Sequence, residues 1–362
     1  MSVISFARGV PSPDILPLAE LAEASRAVIE REGRAILNYG PPFGYPPLRE
    51  WLAARHDVDA SRVVLTPGSL QGLNFVSQIL FADGGRSIVE GPTYDRTLVV
   101  LRGVGATIEA VPLSEDGLDL DRLEALLATG PPATLVYLIP TFQNPSGRTL
   151  SLDQRRAVVE LARARGVTLF EDDPYRLVRY EGEPLPTLHE LAGGSGVIFS
   201  SSFSKTAAPG LRVGYLVVPD EMVEPMRAVA SATYIAPAQL PQAAVYELGY
   251  REGLDPTLER TISVLRARRD AMLRALEAEF PSGCSWSHPD GGYFLWVDLP
   301  AGVDAAQLLV AAEAEGVTFV KGADFFDDGQ GESALRLAFS FPSVEEIRQG
   351  AAVLGRLLGA RG

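Results

Sequence analysis

Residues 197–214 read Val197-Ile-Phe-Ser-Ser-Ser-Phe-Ser-Lys-Thr-Ala-Ala-Pro-Gly-Leu-Arg-Val-Gly214, an apolar run followed by a lysine, a breaker-rich turn and an arginine. Val197 to Phe199 have strand character. Lysine is rarely buried without a partner, yet Lys205 stands just past this core strand, a placement that suggests a chemical task. Ser202 and Ser204 lie on one side of it and Arg212 follows a Pro-Gly turn on the other. Hydroxyls and a guanidinium fork are the donors a phosphate needs. A lysine amine beside a phosphate cradle reads as a site for pyridoxal phosphate; a lysine on a solvated loop is the competing reading, and the rest of the chain has to decide.

The 362 residues suffice for two domains, each with a core, and 46% hydrophobic and 8% aromatic content suits a soluble enzyme. A formal charge of −14 argues against nucleic acid or an anionic membrane as partner, since both demand basic patches. The single cysteine, Cys284, excludes an internal disulfide and a cysteine metal cluster, which is compatible with a reducing cytoplasm. His56, His189 and His288 have no metal-ligand spacing and read as surface or loop residues, so no metal is expected. No apolar run reaches the ~18 residues that span a bilayer, and the N-terminus has no signal-like pattern.

From Arg62 a regular rhythm begins. Short β-branched runs at Val63–Leu65, Ser87–Val89, Thr107–Val111, Thr134–Ile139, Val167–Phe170, Val197–Phe199 and Val213–Val218 alternate with helical patterns at Gln71–Phe81, Asp95–Arg102, Leu120–Leu127 and Leu152–Ala164. This alternation predicts an α/β domain with a seven-stranded, mostly parallel sheet, and ligands of such sheets collect at the carboxyl ends of the strands. Residues 1–35 form an arm and an amphipathic helix with Leu21, Ala24, Val28 and Ile29 on one face, expected to pack with the small domain. Residues 36–240 make the large domain. Residues 241–362 make a long helical stretch, interrupted near Gly253-Leu-Asp-Pro256, and a smaller α+β domain.

The strand ends carry the chemistry. Thr66-Pro-Gly-Ser-Leu-Gln71 runs into a helix whose free N–H groups, with Ser69, form an anion site, although simple N-capping by Ser69 is equally compatible. Tyr94 follows a rigid turn and is placed to cover a flat ring, with plain loop packing as the alternative. Asn144, in Pro140-Thr-Phe-Gln-Asn-Pro-Ser-Gly147, can donate to a ring oxygen or merely form the turn. Glu171, Asp172 and Asp173 stand together after an apolar strand. A carboxylate facing a pyridine nitrogen keeps it protonated, and the protonated ring stabilises a carbanion. Asp172 is the choice, because its spacing to Tyr175 lets the phenol reach the ring hydroxyl; a magnesium cluster is the rival reading.

With these residues in view, the chain resembles the fold type I pyridoxal-phosphate aminotransferases of class I/II, in the branch of 2-aminoadipate, kynurenine and aromatic aminotransferases and the transferase-like half of the MocR regulators. The resemblance spans nearly the whole chain through Phe6-Ala-Arg-Gly-Val-Pro11, Tyr39-Gly-x-x-x-Gly44, Thr66-Pro-Gly-Ser69, Asn144-Pro-Ser-Gly147, Asp172-x-x-Tyr175, Ser202-Phe-Ser-Lys-x-x-x-Pro-Gly-x-Arg212 and Leu335-Arg-Leu-x-Phe339. It implies pyridoxal 5'-phosphate as cofactor, with Lys205 forming the internal aldimine, Asp172 at the ring nitrogen, Asn144 and Tyr175 at the ring oxygen, and Tyr94 stacked on the ring. Ser69, the Leu70 amide, Ser202, Ser204 and Arg212 would hold the phosphate, and Tyr39 would reach the phosphate in a neighbouring subunit of a homodimer. Arg336, Asn144 and Gly9 would meet the substrate, Arg336 as the clamp on the α-carboxylate, for which a structural salt bridge is the alternative; Arg8, a departure from the family, reads either as a contact for an acidic substrate or as a solvated arm residue.

The activity implied is a ping-pong aminotransferase exchanging an amino group between an amino acid and a 2-oxo acid in the cytoplasm. Another pyridoxal-phosphate reaction, such as that of a lyase, cyclase or decarboxylase, would keep every cofactor residue. A ligand-sensing regulator is disfavoured because the chain begins at the catalytic arm. A dinucleotide-dependent dehydrogenase is disfavoured because Gly103-Val-Gly-Ala-Thr does not complete its glycine motif. The arm is short beside that of the family, and Arg8 stands where many members have glycine, so the resemblance leaves the substrate side chain open.

Overall fold

The computed structural model describes residues 3–251 and 255–359. In chain order the elements are β1 (Ile4–Ser5), α1 (Leu18–Ile36), α2 (Pro46–His56), β2 (Val63–Thr66), α3 (Ser69–Leu80), β3 (Arg86–Gly91), α4 (Asp95–Gly103), β4 (Thr107–Ser114), β5 (Gly117–Leu118) and α5 (Leu120–Ala128). There follow β6 (Ala133–Leu138), α6 (Leu152–Arg165), β7 (Thr168–Asp172), α7 (Leu188–Leu191), β8 (Val197–Ser202), β9 (Gly214–Val217), α8 (Asp220–Tyr234), α9 (Gln239–Arg251) and α10 (Asp255–Glu279). The chain closes with β10 (Ser285–Trp286), β11 (Phe294–Asp298), α11 (Ala305–Ala314), β12 (Val317–Thr318), β13 (Val320–Lys321), β14 (Ala334–Ala338) and α12 (Val344–Gly359). The expected break at Gly253 and Leu254 lies outside the described residues.

All seven expected strands join one sheet in the order β2-β9-β8-β7-β6-β3-β4-β5. The eighth member, β5, is a two-residue hairpin return on β4, too short to leave a periodic signal. Only β5 and β9 run against the rest. Side chains alternate between two cores, as a sheet covered on both faces requires. Leu135 and Tyr137 of β6 join Phe75, Leu98, Phe170 and Ile198 on one face. Val136 and Leu138 join Val158, Leu169 and Val197 on the other. Short caps fix the covering helices: Asp119 accepts from Arg122 N at 2.9 Å before α5, and Gly166 takes a φ of 65° after α6.

A second, antiparallel sheet, β10-β11-β14-β13, builds the C-terminal core with α10, α11 and α12. The N-terminal segment divides between the two cores. Its arm pairs β1 with β12 and buries Phe6 fully in the C-terminal core. Helix α1 instead joins α2 and α9 against the large sheet, through Ala24, Val28 and Ile36 packed with Leu48, Leu65 and Val245. The expectation that the whole segment packs with the small domain therefore holds for the arm but not for the helix. Ile29 lies outside the seam and is exposed, because one position past Val28 is a rotation of about 100° around the helix.

Candidate active site

Parallel strands that end at one edge of a sheet deliver their following loops to one place. Here that place is a cleft of about 600 Å³. It is walled by the residues after β2, β3, β6, β7 and β8, by Ala7, Gly9 and Val10 of the arm, and by Phe294, Phe325 and Arg336 of the C-terminal core. Such a volume suits a small organic ligand. Ser69, Leu70, Tyr94, Asn144, Asp172, Tyr175, Ser202, Ser204, Lys205, Arg212, Arg336 and Gly9 all line it. Tyr39 and Arg8 do not. Tyr39 is 81% exposed on the loop after α1, and Arg8 points to solvent with its guanidinium 5.1 Å from the centre of the Phe341 ring.

Lys205 follows the end of β8 by three residues. Its Nζ donates to Gly9 O at 2.7 Å and lies 5.1 Å from the centre of the Tyr293 ring and 5.7 Å from that of Tyr175. No carboxylate pairs with it among the described residues. Burial, reinforced by the cations Arg336 and Arg212, pushes the amine down to about 8. An amine so poised is available as a nucleophile and base near neutral pH. The solvated-loop reading of Lys205 is thereby excluded.

Strand alternation separates the three acids of β7 and its end. Glu171 accepts from the backbone N–H groups of Leu188 and His189, both at 2.9 Å. Asp173 accepts from Arg176 N at 3.1 Å and pairs with its guanidinium at 3.7 Å. Asp172 points the other way, to the cleft, so the triplet is not a cluster. Among the described residues no group of His, Cys, Asp and Glu could hold a metal. Asp172 Oδ2 accepts from Tyr137 Oη at 2.7 Å, while Oδ1 is buried without a partner. Burial lifts the Asp172 carboxyl to about 6, the Tyr137 hydrogen bond opposing the rise and Asp173 adding to it.

At the opposite end of the cleft α3 starts at Ser69, and Gly68 rather than Ser69 occupies the N-cap, with φ of 86°. N-capping by Ser69 is thus excluded, and its hydroxyl and the first helical N–H groups are open to an anion. Ser202 Oγ donates to Ser204 Oγ at 2.8 Å, and Arg212 Nη2 reaches Pro67 O at 3.1 Å. A Cβ at Gly68 would collide with the Arg212 guanidinium and one at Gly214 with Ser69 N. The glycines therefore let helix end, serines and arginine converge.

Arg336, 7% exposed within β14, donates to Asn144 Oδ1 at 2.9 Å and Ala7 O at 2.8 Å, and its Nε is unpartnered. Its guanidinium lies 4.3 Å from the centre of the Phe294 ring and 5.0 Å from that of Phe325. No carboxylate pairs with it among the described residues, so the salt-bridge alternative fails. Burial pulls it down to about 10. A buried cation without a counter-ion awaits an anion. Sequence reasoning missed Asp95, Arg96, Asp324 and Phe325, which also line the cleft, and Tyr137, on which Asp172 rests. Tyr137 sits inside an apolar strand and carries no local mark. The surface-or-loop reading of the histidines needs two corrections: His189 is 2% exposed at the start of α7, its ring facing Phe199 and His56, because the capping turn at Thr187 rotates it inward, and His56 ends α2 half-buried, 3.1 Å from Tyr215 Oη.

Burial shapes the stability profile too. Glu90 and Glu171 are lifted to about 8 and Asp172 and Asp173 to about 6, chiefly by desolvation. Their folded forms keep protons that the unfolded chain releases, so the stability they contribute is complete below pH ~4 and is lost as pH rises to about 8. His56 and His189 are shifted down by burial and oppose this only below pH ~6.5. The cofactor-free protein is expected to show a falling thermal midpoint between about pH 6.5 and 8 in calorimetry, with a shallower fall in Glu90→Gln. A rising midpoint in wild type contradicts this assignment.

The features converge on a flat, phosphorylated, cationic ligand next to an amine. The sequence pattern of the family described as aminotransferase class I and II matches residues 2–354. The chain belongs to this family. Among class I and II aminotransferases it is 38% identical to the 2-aminoadipate transaminase of Thermus thermophilus, over 98% of this chain and 90% of that one. The aromatic-amino-acid aminotransferase 1 of Thermococcus litoralis is 34% identical over 96% of this chain and 86% of its own. The solved alpha-aminoadipate aminotransferase of Thermus thermophilus, complexed with N-(5'-phosphopyridoxyl)-L-leucine, superposes with a TM-score of 0.94 at 37% identity, covering 99% of this chain and 92% of that one. This aminotransferase uses pyridoxal 5'-phosphate for transamination, with an amino acid and a 2-oxo acid as small-molecule substrates. Among the described residues no helix is long and apolar enough to cross a membrane.

Proposed function

We propose that the cleft holds pyridoxal 5'-phosphate between Lys205 and the N-terminus of α3, and that the enzyme transfers the amino group of an L-amino acid to a 2-oxo acid in two half-reactions. The observation that carries this is the pairing of an unpartnered, buried Asp172 oxygen with a buried amine that has no counter-ion among the described residues, at the two sides of one cleft. When bound, the cofactor supplies a carbonyl carbon for the amino group and a cationic ring that delocalises the electrons left at the substrate α-carbon. Ser69, the Leu70 amide, Ser202, Ser204 and Arg212 hold its phosphate. Asp172 keeps the ring nitrogen protonated, Asn144 and Tyr175 bond the ring oxygen, and Tyr94 covers the ring.

Lys205 Nζ would hold the cofactor's carbonyl carbon and, when free, would be placed to accept the proton from the substrate α-carbon as general base. Arg336 receives the α-carboxylate next to Asn144 and Gly9, and Phe294 and Phe325 keep water from it. Tyr39, exposed here, serves the cleft of a second copy in a homodimer. The working division is a cofactor-holding unit that runs through α9, which packs on the large sheet, and a substrate-closing unit beyond it, joined by the arm. A single cysteine and an acidic balance of charge favour a cytoplasmic location. Two similar proteins are named for 2-aminoadipate and for aromatic amino acids, so medium-length acidic and aromatic donors are the substrates to try first.

The decisive experiment follows the absorbance of the purified protein, loaded with cofactor, as amino acids are added one at a time. The reading requires that one donor class converts the yellow form to the aminated cofactor and that a 2-oxo acid restores it. Loss of colour with release of ammonia or carbon dioxide would replace transamination by elimination or decarboxylation.

A further inference from the structure

Tyr137 sits in the middle of β6, fully buried, with its ring 5.5 Å from that of Phe170 and 22° from parallel to it. Its Oη reaches the neighbouring strand, where it donates to Asp172 Oδ2 at 2.7 Å, with Thr97 of α4 also beside the phenol. The second carboxylate oxygen, Oδ1, is buried and meets no donor. A carboxylate tethered through one oxygen cannot spin freely, so the other becomes the oxygen offered to a ligand.

The groups around Asp172 explain why the tether matters. Glu90, from β3, is buried and held by Ile139 N and Gln143 Nε2, both at 3.1 Å. Asp173 follows on the same chain segment but turns to Arg176, and Ser200 on β8, Tyr94 and Tyr175 complete the polar neighbours. No lysine or arginine pairs with Asp172 among the described residues. Desolvation and the neighbouring Asp173 raise this carboxyl, and the Tyr137 phenol is the first of the two hydroxyls that oppose the rise, with Ser200 the lesser.

We propose that Tyr137 is the positioning residue that makes Asp172 the partner of the cofactor ring nitrogen, holding the carboxylate ionised through Oδ2 and reserving Oδ1 for the ring N–H. This rests on the assignment of Asp172 given above. Deleting the phenol oxygen leaves a buried carboxylate with one fewer donor, which favours its protonated form, and a neutral acid no longer keeps the ring cationic. Glu90 and Gln143 add a second level, since Gln143 also donates to Pro92 O at 2.7 Å and accepts from Ser146 N at 2.8 Å, tying the loops that carry Tyr94 and Asn144 to the same buried carboxyl.

The test is Tyr137→Phe, which keeps the ring and its stacking and removes one atom. Apoenzyme is titrated with pyridoxal phosphate, and the visible band of the resting holoenzyme is titrated against pH. A hydrogen bond to a charged acceptor is worth about one order of magnitude or more in an equilibrium. The dissociation constant is therefore expected to rise about tenfold, the band's titration to shift, and kcat to fall about tenfold with KM within about twofold, while the thermal midpoint of the apoenzyme stays near wild type. In an Asp172→Asn background the same substitution is expected to change none of these, because the phenol acts through the carboxylate. An unchanged dissociation constant and band in Tyr137→Phe, or an equal loss in both backgrounds, overturns the proposal. If the wild-type protein takes up no pyridoxal phosphate, the Asp172 assignment falls first and this proposal with it; uptake by wild type with an unaffected variant refutes the proposal alone.

Discussion

Lys205→Ala is expected to lower kcat by at least about 10⁴-fold, because it removes both the covalent attachment point and the general base in one change. The protein should remain folded. Lys205 is a half-buried residue whose desolvated amine is pushed down to about 8 and hydrogen-bonds Gly9 O, so its loss removes a desolvation penalty along with that bond. Three measurements separate this from misfolding. The thermal midpoint should stay within a few degrees of wild type, pyridoxal phosphate should still bind through the phosphate cradle, and the visible band should lie at the position of the free carbonyl form rather than that of the lysine-bound form. Partial rescue by added small amines would place the defect at the missing amine. A variant that retains the wild-type band and rate would show that another lysine does the work, and the only other lysine of the chain, Lys321, pairs with Asp324 at 3.1 Å.

Asp172→Ala is expected to cost about 10³-fold in kcat, the scale seen when a preorganised electrostatic partner of the reacting centre is removed. The physical cause is the loss of the one anion that keeps the ring nitrogen protonated and hence the electron sink effective. The change also releases Tyr137 Oη from its acceptor, leaving a buried hydroxyl unsatisfied. Asp172→Asn separates the two effects: it keeps a side-chain oxygen for the phenol and loses only the charge. Both variants should therefore lose rate, but only the alanine should also lose thermal stability. Equal rates in Asp172→Asn and wild type would mean that ring protonation is not supplied by this residue. The KM for the amino-acid donor should move little in either case, since the group proposed to receive the substrate carboxylate is Arg336.

Much of the cleft was legible because its residues stand immediately after strands whose β-branched runs are plain in the chain. Asp172, Lys205 and Asn144 each follow such a run, and a mostly parallel sheet brings those loops to one edge whatever the intervening helices contain. Tyr137 was not legible. It is one aromatic residue inside Ala133–Leu138, and nothing local distinguishes a phenol that donates to a neighbouring strand from one that merely packs. Arg8 shows what the chain left open between a substrate contact and a solvated arm residue: it is held outward over Phe341. Tyr39, assigned to a neighbouring subunit's cleft, is exposed and lines none of its own.

The chain's local patterns by themselves determined an α/β architecture, the seven principal strands, the loops that wall the cleft and the turn proposed to hold a phosphate, because period, turn residues and capping act over a few positions. Tertiary structure alone decided the rest. It divided the N-terminal segment between two cores, sending Phe6 to one and Val28 to the other. It brought Arg336 to Asn144 across 192 residues of chain, and it split Glu171, Asp172 and Asp173 so that one carboxylate faces the ligand while its neighbours satisfy the backbone. The physical reason is common to all three. A side chain's partner in a low-dielectric interior is set by which elements pack together, and at the run Glu171-Asp-Asp173 beside Lys205's cleft that packing gave three similar acids two different tasks.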